Sequence, residues 1–263
     1  MFKVAATTAL MMALLLATGA SPRPAAPQAA SRIAKIAAAS RCARQNWTGR
    51  GRAPIGYIKG MALTYAKSFC ERRAGGAAVD IMRRPLTRNG QDALVRYQAD
   101  LAAHGVNVNS DAERLRALYT LAIGLGMRES SGNTTEGRDL TARRPSANTA
   151  EAGLFQTSFD SFNLSPALSQ LNDQYRANTG GCLLDTFKEG IPRVITRPVF
   201  GTGAGADYQR FTRDCPAFAT EYVMVMLRLN RTHFGPINRH EVDYVQSCND
   251  MLREVEGAAS CAP

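Results

Sequence analysis

Only three histidines occur in this 263-residue chain, His104, His233 and His240, and no Cys-x-x-Cys pair is present. The histidines are not spaced as ligands on one helical face, so the usual zinc patterns are unmet and no metal or other cofactor is expected. No internal repeat or heptad array runs through the sequence, which excludes solenoids and coiled coils. Trp47 is the single tryptophan, and the arginines are spread along the chain rather than clustered with aromatics. A nucleic-acid-binding module needs such clustering, so nucleic acid is not an expected partner. Acidic residues are the minority, 22 against 32 Lys and Arg, for a net charge of +10. That excess fits an exported protein meeting a polyanion, and it equally fits plain solubility.

What is present divides the chain into three parts. Residues 1–20 carry Lys3, an apolar run through Leu16 and the small-residue exit Thr18-Gly19-Ala20. This is the pattern of a secretory signal peptide, too short for a membrane span. No Cys follows the exit, so neither a lipid anchor nor another stable membrane anchor is expected, and the location is periplasmic or secreted. The Ala/Pro-rich residues 21–40 read as a disordered linker. Residues 41–263 are long enough for one α-rich domain. Its six cysteines, in an exported chain, are expected to form three disulfides, and nearest-neighbour pairing joins Cys42 to Cys70, Cys182 to Cys215 and Cys248 to Cys261.

The central stretch is residues 110–158. Ser110 and Glu113 form a capping box, and Leu115, Leu118, Leu121, Ala122 and Leu125 follow at helical spacing. No charge interrupts residues 117–127, so the helix is expected to be buried on most of its circumference and to end at Gly132, with Glu129 in its last turn. Desolvation and the negative end of the helix dipole both disfavour a carboxylate there, while Arg128 acts the other way. A carboxyl that stays protonated near neutrality is what a general acid for glycosidic cleavage requires.

Glu129-Ser130-Ser131-Gly132, followed after a polar loop by Gly153-Leu154-Phe155-Gln156, resembles the Glu-Ser and Gly-Leu-Met-Gln motifs of the lysozyme-like superfamily. Soluble lytic transglycosylases and goose-type lysozymes are the nearest resemblance, and it covers roughly residues 110–160. Phe155 stands where Met is usual, the connecting loop is longer, and no Ala-Tyr-Asn-Ala-Gly motif follows. The resemblance implies a mainly α, lysozyme-like, disulfide-stabilised globule with a catalytic core of about residues 110–235. It implies Glu129 as acid and base in cleaving β-1,4 bonds of peptidoglycan glycan strands. Ser130, Ser131, Gly153, Leu154, Phe155 and Gln156 would bind substrate. Tyr208, in the glycine-rich run of residues 201–208, takes by position the place of the missing tyrosine motif beside the groove.

Hydrolysis usually needs a second carboxylate. Asp139 and Glu151 are the foremost candidates, with Glu136 and Asp160 behind them; a solvated loop charge is the plain alternative for each. A lytic transglycosylase needs only the one Glu, because the substrate's own hydroxyl attacks. The rival class is a secreted glycan-binding or inhibitory protein that keeps the scaffold without turnover. Elsewhere, helices are expected over residues 57–73, 89–104, 216–234 and 241–255, with one or two more over residues 158–178, and Trp47 reads as a packing residue rather than a sugar platform. Nothing in the sequence sets an oligomeric state.

Overall fold

The computed structural model describes residues 27–88, 90–138, 140, 146–191 and 198–261. The expected signal peptide, the first part of the expected linker and Asp139 lie outside these residues. The chain is mainly helical, as expected. In order come α1 (Pro27–Ala39), a hairpin of β1 (Asn46–Trp47) and β2 (Gly51–Arg52), α2 (Ile55–Ala74), α3 (Ala77–Arg83), α4 (Ala93–Arg96) and α5 (Gln98–Ala103). Then follow α6 (Asp111–Ser130), α7 (Pro166–Ala177), α8 (Leu184–Lys188), α9 (Ala204–Asp214), α10 (Pro216–Leu229), α11 (Gly235–Asn238) and α12 (Gln246–Ala258). Among the described residues, no helix is long and apolar enough to cross a membrane.

Three helices make the core. In α6 every side chain from Arg114 to Met127 is buried, and in α10 every one from Pro216 to Arg228, so neither keeps a solvent face. α2 packs against both. Small residues let the helices approach. A Cβ on Gly60 would lie 2.4 Å from the Phe187 ring, and one on Gly124 would lie 2.6 Å from the Asp243 carbonyl oxygen, which fixes α8 against α2 and the segment before α12 against α6. A polar cross-link joins α2 to α10: the Lys67 Nζ donates to Glu71 at 3.0 Å and to both oxygens of Glu221 at 2.9 Å, and Ser68 Oγ adds a bond to Glu221 at 2.7 Å.

Several expectations are corrected. Residues 27–39, read as linker, form α1, because Ala29, Ile33 and Ala37 recur at four-residue spacing and bury one stripe against α2 and α12. The folded domain therefore begins before residue 41. The glycine-rich run of residues 201–208 turns at Gly203, φ 76°, and enters α9, and α12 starts at Gln246 rather than near residue 241. The expected helix over residues 89–104 is two short ones, with Asp92 as N-cap accepting from the Leu94 N–H at 3.0 Å.

A further correction concerns the disulfides. Cys182 pairs with Cys215 as expected, but the other two bonds are Cys42–Cys248 and Cys70–Cys261. Docking of α12 beside α1 and α2 brings Cys248 to Cys42 and Cys261 to Cys70, and sequence proximity is overruled by packing. These bonds span 206 and 191 residues. Closing loops that long restricts the unfolded chain by about 5 kcal/mol each in the entropy model, and measured losses run about 2–5 kcal/mol. Peptide mapping without reductant is expected to recover the 42–248 and 70–261 peptides. The double variant Cys42→Ala, Cys248→Ala should lose about 2–5 kcal/mol in urea unfolding; a recovered 42–70 peptide would refute this pairing.

Candidate active site

The site is built on the end of α6. Its start is set by the capping box, where Ser110 Oγ accepts from the Glu113 N–H at 3.3 Å and the Glu113 carboxylate accepts from the Ser110 N–H at 2.9 Å. At its other end Ser131 turns left-handed at φ 56°, and the Gly132 N–H reaches back to the Gly126 carbonyl at 3.2 Å. The helix thus ends at Ser130, with Ser131 rather than Gly132 as the residue that stops it, and leaves Glu129 in its last turn. Tyr57 of α2 clamps this end: its hydroxyl donates to the carbonyls of Ile123 at 2.9 Å and Ala122 at 3.2 Å. A Cβ on Gly126 would lie 2.2 Å from that hydroxyl, and one on Gly132 would lie 2.9 Å from the same ring. Both positions must be glycine for the clamp to close.

The segment after the loop folds onto the helix end. Ser130 Oγ donates to the Leu154 carbonyl at 2.8 Å and to that of Gly126 at 3.1 Å. Gly153, at φ 76°, gives its N–H to the Glu136 carbonyl at 2.9 Å, and Ala152 bridges to Thr157. Gln156 is left-handed at φ 49°, with its amide turned back to the Gly153 carbonyl at 3.0 Å. The structure therefore brings Glu129, Ser130, Ser131 and residues 153–156 together.

It does not give all of them to a ligand. Leu154 and Phe155 are wholly buried, and Ser130 is buried with its hydroxyl committed. They shape the turn and cannot line an open groove with their side chains. Tyr208 is likewise shut in at 1% exposure, and its hydroxyl, 2.7 Å from Thr157 Oγ1, braces the residue after Gln156. Half-buried Ser131 and Gln156 remain accessible.

Glu129 is half-buried, and its carboxyl is pushed up to about 7. Burial is the main cause and the charge of Glu151 adds to it, while Arg50 and Arg239 act in the opposite sense. The opposing cations are thus not Arg128, which as a sequence neighbour on a helix faces elsewhere. Arg50 comes from the β1–β2 turn, where Gly49 and Gly51 at φ 71° and 73° let the chain reverse. It donates to the Arg128 carbonyl at 2.5 Å, at the negative end of α6. Arg239 follows α11 and forks onto Glu241 at 2.7 and 2.9 Å. Trp47 of the same hairpin is buried, as its packing role requires.

No protein-family model, curated protein or solved structure matches this chain. A carboxyl that titrates near 7 holds its proton at neutral pH about half the time and can both give and receive it, which is the requirement for general acid and base catalysis. Glu151 lies close enough for its charge to be felt at Glu129, and it is the only carboxylate acting on it in this way among the described residues. Asp160 is occupied by Ser158 Oγ at 2.6 Å. Among the described residues there is no group of three or more His, Cys, Asp and Glu arranged to hold a metal. Sequence reasoning missed Arg50 and Arg239, because no spacing rule links a hairpin turn or a distant loop to Glu129. The Thr48-Gly49-Arg50-Gly51 turn was the one signal that could have flagged the hairpin.

Proposed function

We propose that the chain is an exported enzyme that cleaves β-1,4 bonds of peptidoglycan on a lysozyme-like scaffold, with Glu129 as general acid and then base. The observation that carries this reading is the carboxyl pushed up to about 7 at the end of a buried helix, with the 153–156 turn folded against it. Glu129 protonates the glycosidic oxygen as the bond to the leaving sugar breaks. It then accepts a proton from the attacking nucleophile, either water or the 6-hydroxyl of the same glycan. Glu151 keeps the Glu129 proton in place before cleavage and, in the hydrolytic case, is the group to orient water. Ser131 and Gln156 contact the strand, and Leu154, Phe155 and Tyr208 hold the wall that carries them. Three disulfides support an oxidising compartment, periplasmic or extracellular.

The test is digestion of purified peptidoglycan by the chain, with soluble products weighed by mass spectrometry. Anhydro-sugar ends would establish a lytic transglycosylase and reducing ends a hydrolase. Absence of both from folded protein would sink the proposal.

A further inference from the structure

Past the 153–156 turn the chain enters a cavity that the cleavage reading leaves unused. It has a volume of about 160 Å³ and lies between the 3₁₀ turn Phe159–Leu164, α7 and α9. Phe159, Phe162 and Tyr208 wall it, and Asn172, Arg176, Ala204 and Asp207 complete the lining. The rings are fixed against one another: Phe159 and Phe162 meet edge to face at 5.2 Å, and Phe162 meets Tyr208 at 5.6 Å. Tyr222 backs Phe162 at 5.4 Å, so the apolar wall is packed from behind.

The polar groups at the mouth are equally preset. Arg176 lies over the Phe211 ring at 4.2 Å and gives its Nε to Asn172 Oδ1 at 3.1 Å, which leaves the two terminal nitrogens as donors for a ligand. Asp207 engages Arg210 through one carboxylate oxygen. An ionised carboxylate has about four acceptor positions, so it retains capacity to accept. One acceptor-only group and one donor-only group thus share an aromatic cavity. A lone anion would meet Asp207, a lone cation would meet Arg176, and a purely apolar ligand would leave both without partners. A secondary amide bearing a methyl group satisfies all three features: its N–H goes to Asp207, its carbonyl to Arg176, and its methyl against Phe159 and Phe162. The volume lies below the roughly 300–1,000 Å³ of cavities that enclose a whole drug-sized ligand, so it takes one substituent rather than a chain.

We propose that this cavity is a secondary subsite for the acetamido group of an N-acetylhexosamine. The assignment rests on the glycan reading of the preceding section, and it supplies a hold on the strand apart from Glu129. The cavity opens three residues beyond Gln156, and Thr157 between them is bonded to the Tyr208 that forms part of its wall. A glycan held at the 153–156 turn can therefore be gripped further along.

Binding of triacetylchitotriose, measured by calorimetry and by NMR of the phenylalanine rings in the Glu129→Gln full chain, tests it. Phe159 and Phe162 should shift on addition. Asp207→Ala and Arg176→Met, both at exposed positions and checked for unchanged helical circular dichroism, should each weaken binding about tenfold, the loss of one charge-assisted bond. Equal binding by fully deacetylated chitotriose, or unchanged affinity in both variants, would overturn the proposal. N-acetyl-alanine amide in place of the sugar separates the sources: tighter binding of that amide than of the sugar would assign the cavity to peptide and refute the sugar subsite. Cleavage by the wild-type chain is scored separately. Loss of the ring shifts with cleavage intact fails only the subsite, whereas ring shifts without cleavage fail only the catalytic reading.

Discussion

Glu129→Gln is expected to lower peptidoglycan cleavage by about 10²–10⁴-fold, the range that a positioned acid or base contributes, while the protein stays folded. Gln keeps the shape and the hydrogen-bonding capacity of the side chain but has no transferable proton. Because α6 is held by Tyr57, Ser130 and Gly132, none of which bonds to the Glu129 carboxyl, the variant leaves the helix end intact. Release of labelled wall fragments measures the effect. Wild-type rates in the variant would remove Glu129 from the mechanism and bring forward the binding-protein reading.

The pH dependence follows from the same carboxyl. Protonated Glu129 is the form that starts the reaction, and with its titration pushed up to about 7 that form falls tenfold for each pH unit well above 7. The alkaline limb of the rate profile should therefore lie near pH 7. Stability runs in parallel. The folded carboxyl is raised from 4.5 to about 7, so between those values the folded state binds more protons than the unfolded chain. Stability from this group is complete below the unfolded value and is lost as pH rises through 7. The shift corresponds to at most about 3 kcal/mol, reduced by the side chain's partial exposure. Glu129→Gln removes that penalty, so the variant should melt at or above the wild-type temperature at pH 8 and show no such gain at pH 4. Activity and stability then move in opposite directions at one residue.

How far the sequence could lead is visible in particular residues. α6 was readable because its signals are local: a capping box, an uncharged run and a glycine after it. The same locality recovered Cys182–Cys215, whose partners are 33 residues apart. It failed for Cys42–Cys248 and Cys70–Cys261, which depend on where α12 docks. It failed for α1 because alanine-rich composition concealed the Ala29, Ile33, Ala37 stripe. At the site, the sequence placed Glu129 in the last turn of α6 and the 153–156 segment beside it, but assigned the buried side chains of Leu154 and Phe155 to substrate, since a motif records which residues occur together and not which way they point. Arg239 had no sequence signal, and for Arg50 the Gly49-Arg50-Gly51 turn marked a hairpin but not what the hairpin packs beside. Their placement beside Glu129 is a product of tertiary structure alone.

The largest structural effect is expected at Asp92 and Arg228, the charges that tertiary structure buries most completely. Neither side chain has any exposure, and they meet through two bonds, Nε to Oδ1 at 3.0 Å and Nη2 to Oδ2 at 2.9 Å. Arg228 also donates to the carbonyls of Met82 at 2.5 Å, Arg84 at 2.8 Å and Pro85 at 3.1 Å. Asp92 in turn accepts the Leu94 N–H that starts α4. One ion pair thus ties the end of α10 to the segment between α3 and α4. Desolvating both ions offsets most of their attraction, so the intact pair contributes little net stability, whereas removal of one partner leaves the other buried and uncompensated. Asp92→Ala should cost about 3–5 kcal/mol in denaturant unfolding. Arg228→Met alone should cost a similar amount, and Arg228→Met with Asp92→Leu together should cost less than either alone. Costs that simply add would show that the two side chains act independently.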